Sequence, residues 1–465
     1  MPINRTRMMV VAGLAGMGIC AGSAAASVVA KRPNIIFILT DDQRWDAMSC
    51  LGHPFLKTPN MDRLRHEGAL YANAFVTTAL CSPSRASFLT GAYAHTHGVT
   101  SNRGREIDHD KTPSFPRVLR EAGYETAFVG KWHMNRRSQP RPGFDYWLSF
   151  SGQGVYADPT LNENGRAFKA EGYTTDLLTD FAIAFMKREH EKPYCLYLSH
   201  KAVHSPFIPA PRHAGSYDGV TLPSPPNTQD TFSGKPAWLR GGVAVPGTPA
   251  AVQAIPDALT PTQWDPTEQR RRGYWKTLNA VDDGIGRILA ALEESGELDH
   301  TIIMFASDNG YFHGEHGRGD KRLMYEESIR IPLLIRYPPV VKPNSTVEQM
   351  VLNIDVAPTL LDLAGVQAPQ TVQGCSTVPL LEGAFAGWRT SFLYEYWVDM
   401  TDRVPRLLGV RTDRWKLIRA PDIDDIDELY DLENDPYEMH NLAQDPAYAG
   451  QRDALRAELD QFGVR

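Results

Sequence analysis

The strongest constraint on the fold is an uninterrupted apolar run, Asn34–Thr40, that ends directly at Asp41 and Asp42. A strand without alternating polar positions must be covered on both faces, as in a parallel sheet with helices on either side. Similar short runs recur at 126–129, 194–199, 301–307 and 332–335. Helical patterns lie between several of them, the clearest at 272–295 and another at 59–68. The sequence therefore predicts an α/β fold with a large mixed central sheet flanked by helices.

Composition limits the kinds of partner and the compartment. The chain has 465 residues, enough for a large core and two to three domains. Its 48 basic and 55 acidic residues give a net charge of −7, which argues against a nucleic-acid partner held by a basic surface. Five cysteines are too few for a disulfide scaffold of this size, and the sequence cannot pair those that remain after export.

The N-terminus predicts export. Arg5 and Arg7 precede a short stretch rich in Ala and Gly, which ends in three alanines at 24–26. This layout is typical of a secretory signal peptide spanning residues 1–26, with an uncleaved membrane anchor as the alternative. We therefore expect a periplasmic or secreted protein with no stable membrane insertion after cleavage.

Two further segments are predicted behind the signal. Residues 27–365 carry the α/β pattern and the motifs below, so we expect them to form the catalytic domain. Within them, 205–266 is rich in proline and glycine and predicts a long functional loop. Short strands followed by a helix near 447–462 predict a small antiparallel α+β subdomain over 366–465.

Polar side chains follow four predicted strands at the points where the strands end. They are Asp41, Asp42, Lys131, His133, His200, His204, Asp308 and Asn309. Each alone is more often a solvated loop residue, but in open α/β sheets the ligand crevice lies beyond the carboxyl ends of the strands. Their joint position therefore predicts a site.

The acids and the amide in this set predict a metal centre. Oxygen ligands from Asp41, Asp42, Asp308 and Asn309 suit a hard cation such as Ca²⁺ or Mg²⁺ better than zinc. Three clustered carboxylates would also repel one another without such an ion.

The sharpest motif begins at Cys81 and reads CSPSRASFLTG. Ser82 resembles an N-cap, Pro83 suits the first turn, and Gly91 can end the short helix. At a helix N-terminus, free backbone N–H groups favour a bound oxyanion, and Arg85 adds a cation one turn on. A lone cysteine is more often a small buried apolar residue. Whether Cys81 has a functional role therefore depends on the residues around it.

That pattern resembles the signature of the type I sulfatases, C-x-P-S-R-x-x-x-L-T-G, at every fixed position. Further resemblance covers nearly the whole mature chain: DDQ from 41, GKWH from 130, DNG from 308, the block from Lys321 to Pro332, and ELYDL from 428. The family implies an alkaline phosphatase-like sulfatase fold. It also implies that a separate maturation enzyme oxidises Cys81 to formylglycine, whose aldehyde hydrate is the nucleophile. Residue 81 would then join the predicted ligands around one Ca²⁺.

The resemblance also implies catalytic roles. One hydroxyl of the hydrated residue 81 would attack sulfur, while His204 and Lys321 contact the ester oxygen and one of them protonates the leaving alkoxide. His133 would take the proton of the second hydroxyl and so release sulfate. The sulfate would be held by three cations, namely Arg85, Lys131 and Lys321. The other candidate histidines are left outside the catalytic set. His95 and His97 either face the sugar or cap and pin the loop, His200 is structural, and His313 and His316 line the cleft.

The substrate implied is a sulfated carbohydrate. The segments 77–81 and 320–326 look most like the N-acetylglucosamine-6-sulfatase branch, which acts on glycosaminoglycan or mucin-type glycans. A sulfatase of algal polysaccharides such as ulvan or carrageenan, a phosphate- or phosphonate-ester hydrolase of the same superfamily, and a silent glycan-binding protein are the alternatives. Candidate sugar contacts in the variable parts are Trp147, Tyr156, Trp238, Trp397 and Arg406.

Overall fold

A computed structural model of the protein describes residues 32–240, 268–399 and 404–464. The signal-peptide prediction and most of the second half of the predicted loop lie outside these ranges. The strands are β1 Asn34–Thr40, β2 Ala69–Phe75, β3 Glu125–Gly130, β4 Tyr146–Ser149, β5 Thr160–Glu163, β6 Arg166–Lys169, β7 Tyr194–Ser199, β8 Thr301–Ser307, β9 Phe312–His313, β10 Gly319–Asp320, β11 Leu333–Arg336, β12 Ser345–Leu352, β13 Ser391–Tyr396, β14 Leu407–Thr412, β15 Trp415–Arg419 and β16 Glu428–Asp431. The α-helices are α1 Pro59–Glu67, α2 Cys81–Thr90, α3 Ala94–His97, α4 Phe115–Glu121, α5 Thr174–Met186, α6 Glu268–Glu294, α7 Glu326–Ile329, α8 Val356–Leu363, α9 Val378–Leu381 and α10 Ala449–Gln461.

Ten strands form one mixed central sheet in the order β12-β2-β11-β8-β1-β7-β3-β4-β5-β6. Its middle is parallel, because β1 pairs in parallel with both β7 and β8, and β3 pairs in parallel with β7. All seven residues of β1 are buried. Ile35, Phe37 and Leu39 pack into one apolar cluster, whereas Ile36 and Ile38 pack into another. The predicted two-sided burial and the large mixed sheet flanked by helices are confirmed.

The small second sheet contains β13 to β16 in sequence order, each pair antiparallel. Helix α10 covers one face of it, where Leu455 and Leu459 pack on Leu393 and Val410. This arrangement matches the predicted antiparallel α+β unit in the C-terminal part of the chain. The boundary at residue 365 stays a prediction.

Two negative findings concern the described residues only. None of their helices is both long and apolar enough to cross a bilayer. Among the described residues, the cysteines at positions 50, 81, 195 and 375 form no disulfide bond. The predicted loop contains three short 3₁₀ turns in its described part, the first at Pro211–His213.

Candidate active site

The carboxyl ends of the parallel strands meet at one edge of the sheet, and the backbone pairing continues one residue past each strand. The Asp308 N–H donates to the Thr40 carbonyl (3.0 Å), and the Lys131 N–H donates to the Ser199 carbonyl (2.8 Å). The His200 N–H likewise donates to the carbonyl next to Thr40 in β1 (2.8 Å). Residues directly after the strands are therefore held as rigidly as the strands themselves, and the predicted convergence is observed.

Two motif glycines allow this close packing. Gly130 has φ +120°, and a Cβ built on it would lie 1.8 Å from the Ser199 carbonyl oxygen. A Cβ on Gly310 would lie 2.0 Å from the Glu327 carbonyl oxygen. Any side chain at either position would push the loop that follows the strand away from its packing partner.

The acids form a compact donor set. Asp41, Asp42, Asp308 and Cys81 are fully buried, and one ligand atom of each lies within 4.8 Å of those of the others. The Asn309 Nδ2 donates to Asp42 Oδ1 (2.6 Å), while its Oδ1 is buried without a hydrogen-bond partner among the described residues. An orphaned buried oxygen beside three carboxylates fits a hard, oxygen-preferring cation.

The acidity of the carboxyl groups reflects their crowding. Burial raises the pKa of Asp42 to about 7 despite the attraction of Lys321, and the neighbouring Asp41 and Asp308 add to the rise. Burial and Asp41 also raise the pKa of Asp308. Burial by itself would raise the pKa of Asp41. The positive charges of Lys131, Arg85 and Lys321 outweigh that effect and hold the pKa well below its usual range. Burial and mutual repulsion thus disfavour the charged forms of Asp42 and Asp308 in the metal-free fold.

Three cations face these carboxylates. Lys131 forms an ion pair with Asp41, and Lys321 Nζ donates to Asp42 Oδ1 (2.5 Å). Arg85 Nε donates to the third carboxylate, that of Asp308 (2.9 Å). A divalent cation among the acids would leave this pocket with a net positive charge, which suits an anionic substrate group.

Helix α2 begins at Cys81, so the cysteine occupies its first turn as predicted, but Ser82 is not the N-cap. Leu80 holds that position in extended conformation, and the free Ser82 N–H is capped by Asn102 Oδ1 (2.9 Å). The Ser82 hydroxyl donates instead to the His133 carbonyl (2.8 Å) and ties two parts of the site together. Burial raises the pKa of the Cys81 thiol well above its usual value, so an unmodified thiol would be a poor nucleophile here.

His204 has a defined tautomer. Its Nδ1 lies 2.9 Å from the Ser205 carbonyl, and because a carbonyl can only accept, that nitrogen carries the hydrogen. Its Nε2 lies 3.9 Å from Asp42 Oδ2, at the edge of the acid cluster. Burial and Lys131 lower the pKa of both His204 and His133 well below the usual range.

The two histidines after α2 stabilise the local structure. His97 Nε2 lies 3.1 Å from Ser87 Oγ, and its Nδ1 accepts from the Val99 N–H (3.1 Å). Its neighbour His95 lies 3.0 Å from a buried carboxylate of the second sheet, Glu395. Both contacts are those of loop-pinning residues.

The sequence did not single out Lys201, which supports His204. The residue is 2% exposed. Its ammonium donates to the same Ser205 carbonyl (3.2 Å) and lies 4.8 Å from the centre of the Tyr156 ring. The Tyr156 hydroxyl in turn donates to the His204 carbonyl (2.5 Å). Burial lowers the pKa of Lys201 to about 8. The available signal was its position, two residues after the end of β7 and three residues before His204.

We expect Lys201→Met to lower kcat about tenfold and to leave KM within about twofold, because Lys201 and His204 share the Ser205 carbonyl and residues that orient a site histidine typically contribute 10- to 100-fold. The substitution keeps the length of the side chain but removes the donor to Ser205. Steady-state kinetics measure the effects on kcat and on KM separately, and Lys57→Met, at an exposed position, is the matched control. An unchanged kcat would show that His204 does not depend on this contact.

Three of the five predicted sugar contacts are wrong. Trp147, Tyr156 and Trp238 are 1%, 2% and 3% exposed, because they fill the apolar core beside the sheet. Trp397 and Arg406 are partly exposed, with the guanidinium 5.4 Å from the centre of the indole ring. Only these two stay candidates.

The segment around Lys321 adds two polar residues at the site. Asp320 and Arg322 both have positive φ, 71° and 87°, and form an ion pair with each other. The Asp320 side chain is 47% exposed and lies 3.5 Å from Lys321 Nζ. Strained backbone of this kind is typical of functional segments.

Fold and site together define the class: an alkaline phosphatase-like α/β enzyme whose strands end at an acidic donor set and a cationic pocket. The sulfatase family model matches residues 33–366, and the model of the N-sulphoglucosamine sulphohydrolase C-terminal region matches 314–464. The chain is 38% identical to N-acetylglucosamine-6-O-sulfatase of Bacteroides thetaiotaomicron, covering 93% of this chain and 86% of the relative. It is 34% identical to human N-acetylglucosamine-6-sulfatase, with 82% and 70% covered.

Among solved structures, BT4656 in complex with its substrate D-glucosamine-2-N,6-O-disulfate is similar, with TM-score 0.82 and 37% identity. That similarity covers 93% of this chain and 97% of the other. The protein therefore belongs to the sulfatase family and is an enzyme that hydrolyses sulfate esters.

Proposed function

We propose that the protein removes the 6-O-sulfate of N-acetylglucosamine-type units in a sulfated glycan. The observation that carries the proposal is the position of Cys81 in the first turn of α2, within 4.8 Å of a three-carboxylate donor set and beside three cations. The choice of sugar is supported by the 38% identity to an N-acetylglucosamine-6-O-sulfatase over nearly the whole chain.

Two groups complete the proposed site. Ca²⁺ would be held by Asp41, Asp42, Asp308 and Asn309 with residue 81, where it would orient the sulfate oxygens and stabilise developing negative charge. Formylglycine made from Cys81 by a maturation enzyme would supply a hydrated aldehyde as nucleophile. The orphaned Asn309 oxygen supports the metal assignment, and the position of Cys81 in the first turn of α2, where burial raises the pKa of its thiol, supports the second.

The cations of the chain would bind and position the ester. Arg85 is held by the Lys131 carbonyl (2.8 Å) and Ser199 Oγ (2.6 Å), so its guanidinium is fixed before substrate arrives. Lys131 and Lys321 would turn from their aspartates toward the sulfate oxygens when a metal ion takes those carboxylates. Such preorganised charge would stabilise the transition state more than the ground state.

Proton transfer would be divided between Lys321 and His133. An alkoxide is a poor leaving group, so the sugar oxygen needs a proton as the S–O bond breaks. Neutral His204 carries its hydrogen on Nδ1, toward Ser205, whereas the Lys321 ammonium has three donors at the site. We therefore assign the proton donor to Lys321, place His204 against the ester oxygen, and assign to His133 the proton that residue 81 must lose.

The test of the proposed function is a panel of position-defined sulfated sugars, assayed for free sulfate. We expect hydrolysis of 6-O-sulfated N-acetylglucosamine, with no comparable rate on its 3-O-sulfated isomer. Activity only on sulfated rhamnose or galactose would favour an algal polysaccharide sulfatase. Faster hydrolysis of an aryl phosphate than of the matched aryl sulfate would favour the phosphate-ester alternative.

The predicted signal peptide supports export to the periplasm or the medium. A sulfated polysaccharide would be met outside the cytoplasm, which agrees with that location. Maturation of Cys81 would then precede or accompany export.

A further inference from the structure

Four exposed arginines lie on two loops next to α2. Arg103 and Arg105 belong to the loop that follows α3, and Arg136 and Arg137 follow the catalytic His133. In the described part of the chain, none of these four guanidinium groups lies within ion-pair distance of a carboxylate. We call them the arginine rim. The whole protein has a net charge of −7, so a group of four cations without carboxylate partners is unusual on its surface.

Both loops are anchored at the start of the nucleophile helix. The Ser82 N–H donates to Asn102 Oδ1 (2.9 Å), and Arg103 follows Asn102 directly. The Ser82 hydroxyl donates to the His133 carbonyl (2.8 Å), and Arg136 lies three residues further on. The arginine rim therefore borders the first turn of α2, where Cys81 lies.

The two loops are also fixed to each other. The Glu106 carboxylate accepts from Trp132 Nε1 (3.2 Å) and forms an ion pair with Arg141. Asn135 Oδ1 accepts from the Arg137 N–H (2.7 Å) and from the Arg141 guanidinium (3.2 Å). Glu106 is thus neutralised by Arg141, and these contacts hold together the two loops that carry the rim arginines.

We propose that the arginine rim binds sulfate and carboxylate groups of a sulfated glycan chain beyond the sugar unit whose ester is cleaved. The inference rests on the proposed function and extends it from a single sugar to an acidic polymer. Guanidinium groups present paired N–H donors that match sulfate and carboxylate oxygens. A cluster of unpaired cations beside the cleft also attracts a polyanion and orients it before docking.

Two double variants test the arginine rim, R103S/R105S and R136S/R137S. Each removes two of its four guanidinium groups. The control R166S/K192S removes the same charge from exposed positions on the outer strand β6 and before β7. Affinity for low-molecular-weight heparin is measured at low and at physiological salt, and kcat/KM is measured on the 6-O-sulfated N-acetylglucosamine monosaccharide. We expect each rim variant to bind heparin at least about tenfold more weakly at low salt, with a smaller loss at high salt because screening weakens exposed charges.

We expect the control to bind heparin within about twofold of wild type, and all variants to keep the monosaccharide rate within about twofold. Unchanged heparin binding in both rim variants, or an equal loss in the control, would overturn the proposal. So would tighter rim-dependent binding of a DNA strand of matched length, which would indicate a nucleic-acid surface. Wild-type protein that binds heparin through the rim but cleaves no sulfated sugar would contradict the proposed function alone.

Discussion

Cys81→Ala is expected to lower turnover by at least about 10⁴-fold, to the background of the assay, because it removes the proposed source of the nucleophile. The neighbouring aspartates and lysines are paired with one another in this site, so none of them is placed to take over the role of residue 81. The fold should survive, since Cys81 contributes a small buried side chain in the first turn of α2 and alanine favours a helix. Sulfate release under multiple-turnover conditions checks the loss, and circular dichroism checks the fold.

Cys50→Ala is the matched control, because Cys50 is a free, partly buried thiol outside the site. We expect that variant to retain wild-type turnover. Intact-mass measurement of the wild type adds a direct test, since conversion of the Cys81 CH₂–SH group to an aldehyde lowers the mass by a defined amount. Full activity in protein whose Cys81 is entirely unmodified would contradict the formylglycine assignment.

The central strands of the large sheet and the site residues at their ends were both predictable from the sequence, and for the same reason. Strands such as β1 and β8 are buried on both faces, so their residues form continuous apolar runs, and the polar residues that follow them stand out. Strands nearer the edge have no such pattern. Asn73 interrupts β2, and β12 pairs with it through a register shift between Val347 and Met350. Both were therefore missed.

Contacts between distant segments were beyond reach of the sequence. The start of α2 is capped by Asn102, twenty residues beyond Ser82, so a local capping pattern misplaced the N-cap by two residues. The Lys201 ammonium lies 4.8 Å from the centre of the Tyr156 ring, which belongs to a distant part of the chain. Tryptophans in variable segments were taken for sugar contacts, but Trp147 is 1% exposed because apolar burial dominates for large rings.

Asp42→Asn is expected to separate metal binding from folding. The buried Asp42 carboxyl, with a pKa of about 7, is crowded by Asp41 and Asp308, so removing its charge should maintain or raise the melting temperature in chelator. The amide oxygen can still accept from Asn309 and Lys321. The same variant should lose the stabilisation that Ca²⁺ gives the wild type, about 2.7 kcal/mol at a Ca²⁺ concentration 100 times Kd. Its turnover should fall at least about 100-fold.

The Ca²⁺ response of the wild type should depend on pH in a defined direction. The ordinary pKa of an aspartate is 3.8, and burial raises the pKa of Asp42 to about 7 in the metal-free fold. At pH values between 3.8 and 7, the folded chain therefore holds a proton on Asp42 that the unfolded chain has lost. Metal-free stability therefore falls as pH rises through this window. Ca²⁺ must displace that proton, so its stabilising effect should be larger at pH 8 than at pH 5.5.

Thermal unfolding with chelator and with added Ca²⁺ at the two pH values measures this effect directly, and readdition of Ca²⁺ should restore sulfate release. Asp180→Asn is the control, because Asp180 is exposed on α5 and its pair with Arg287 lies outside the site. A Ca²⁺-induced shift in Asp42→Asn equal to that of the wild type would place the ion elsewhere. A wild-type shift that is larger at pH 5.5 than at pH 8 would show that the crowded carboxylates do not bind it, since protons and Ca²⁺ compete for the same oxygens.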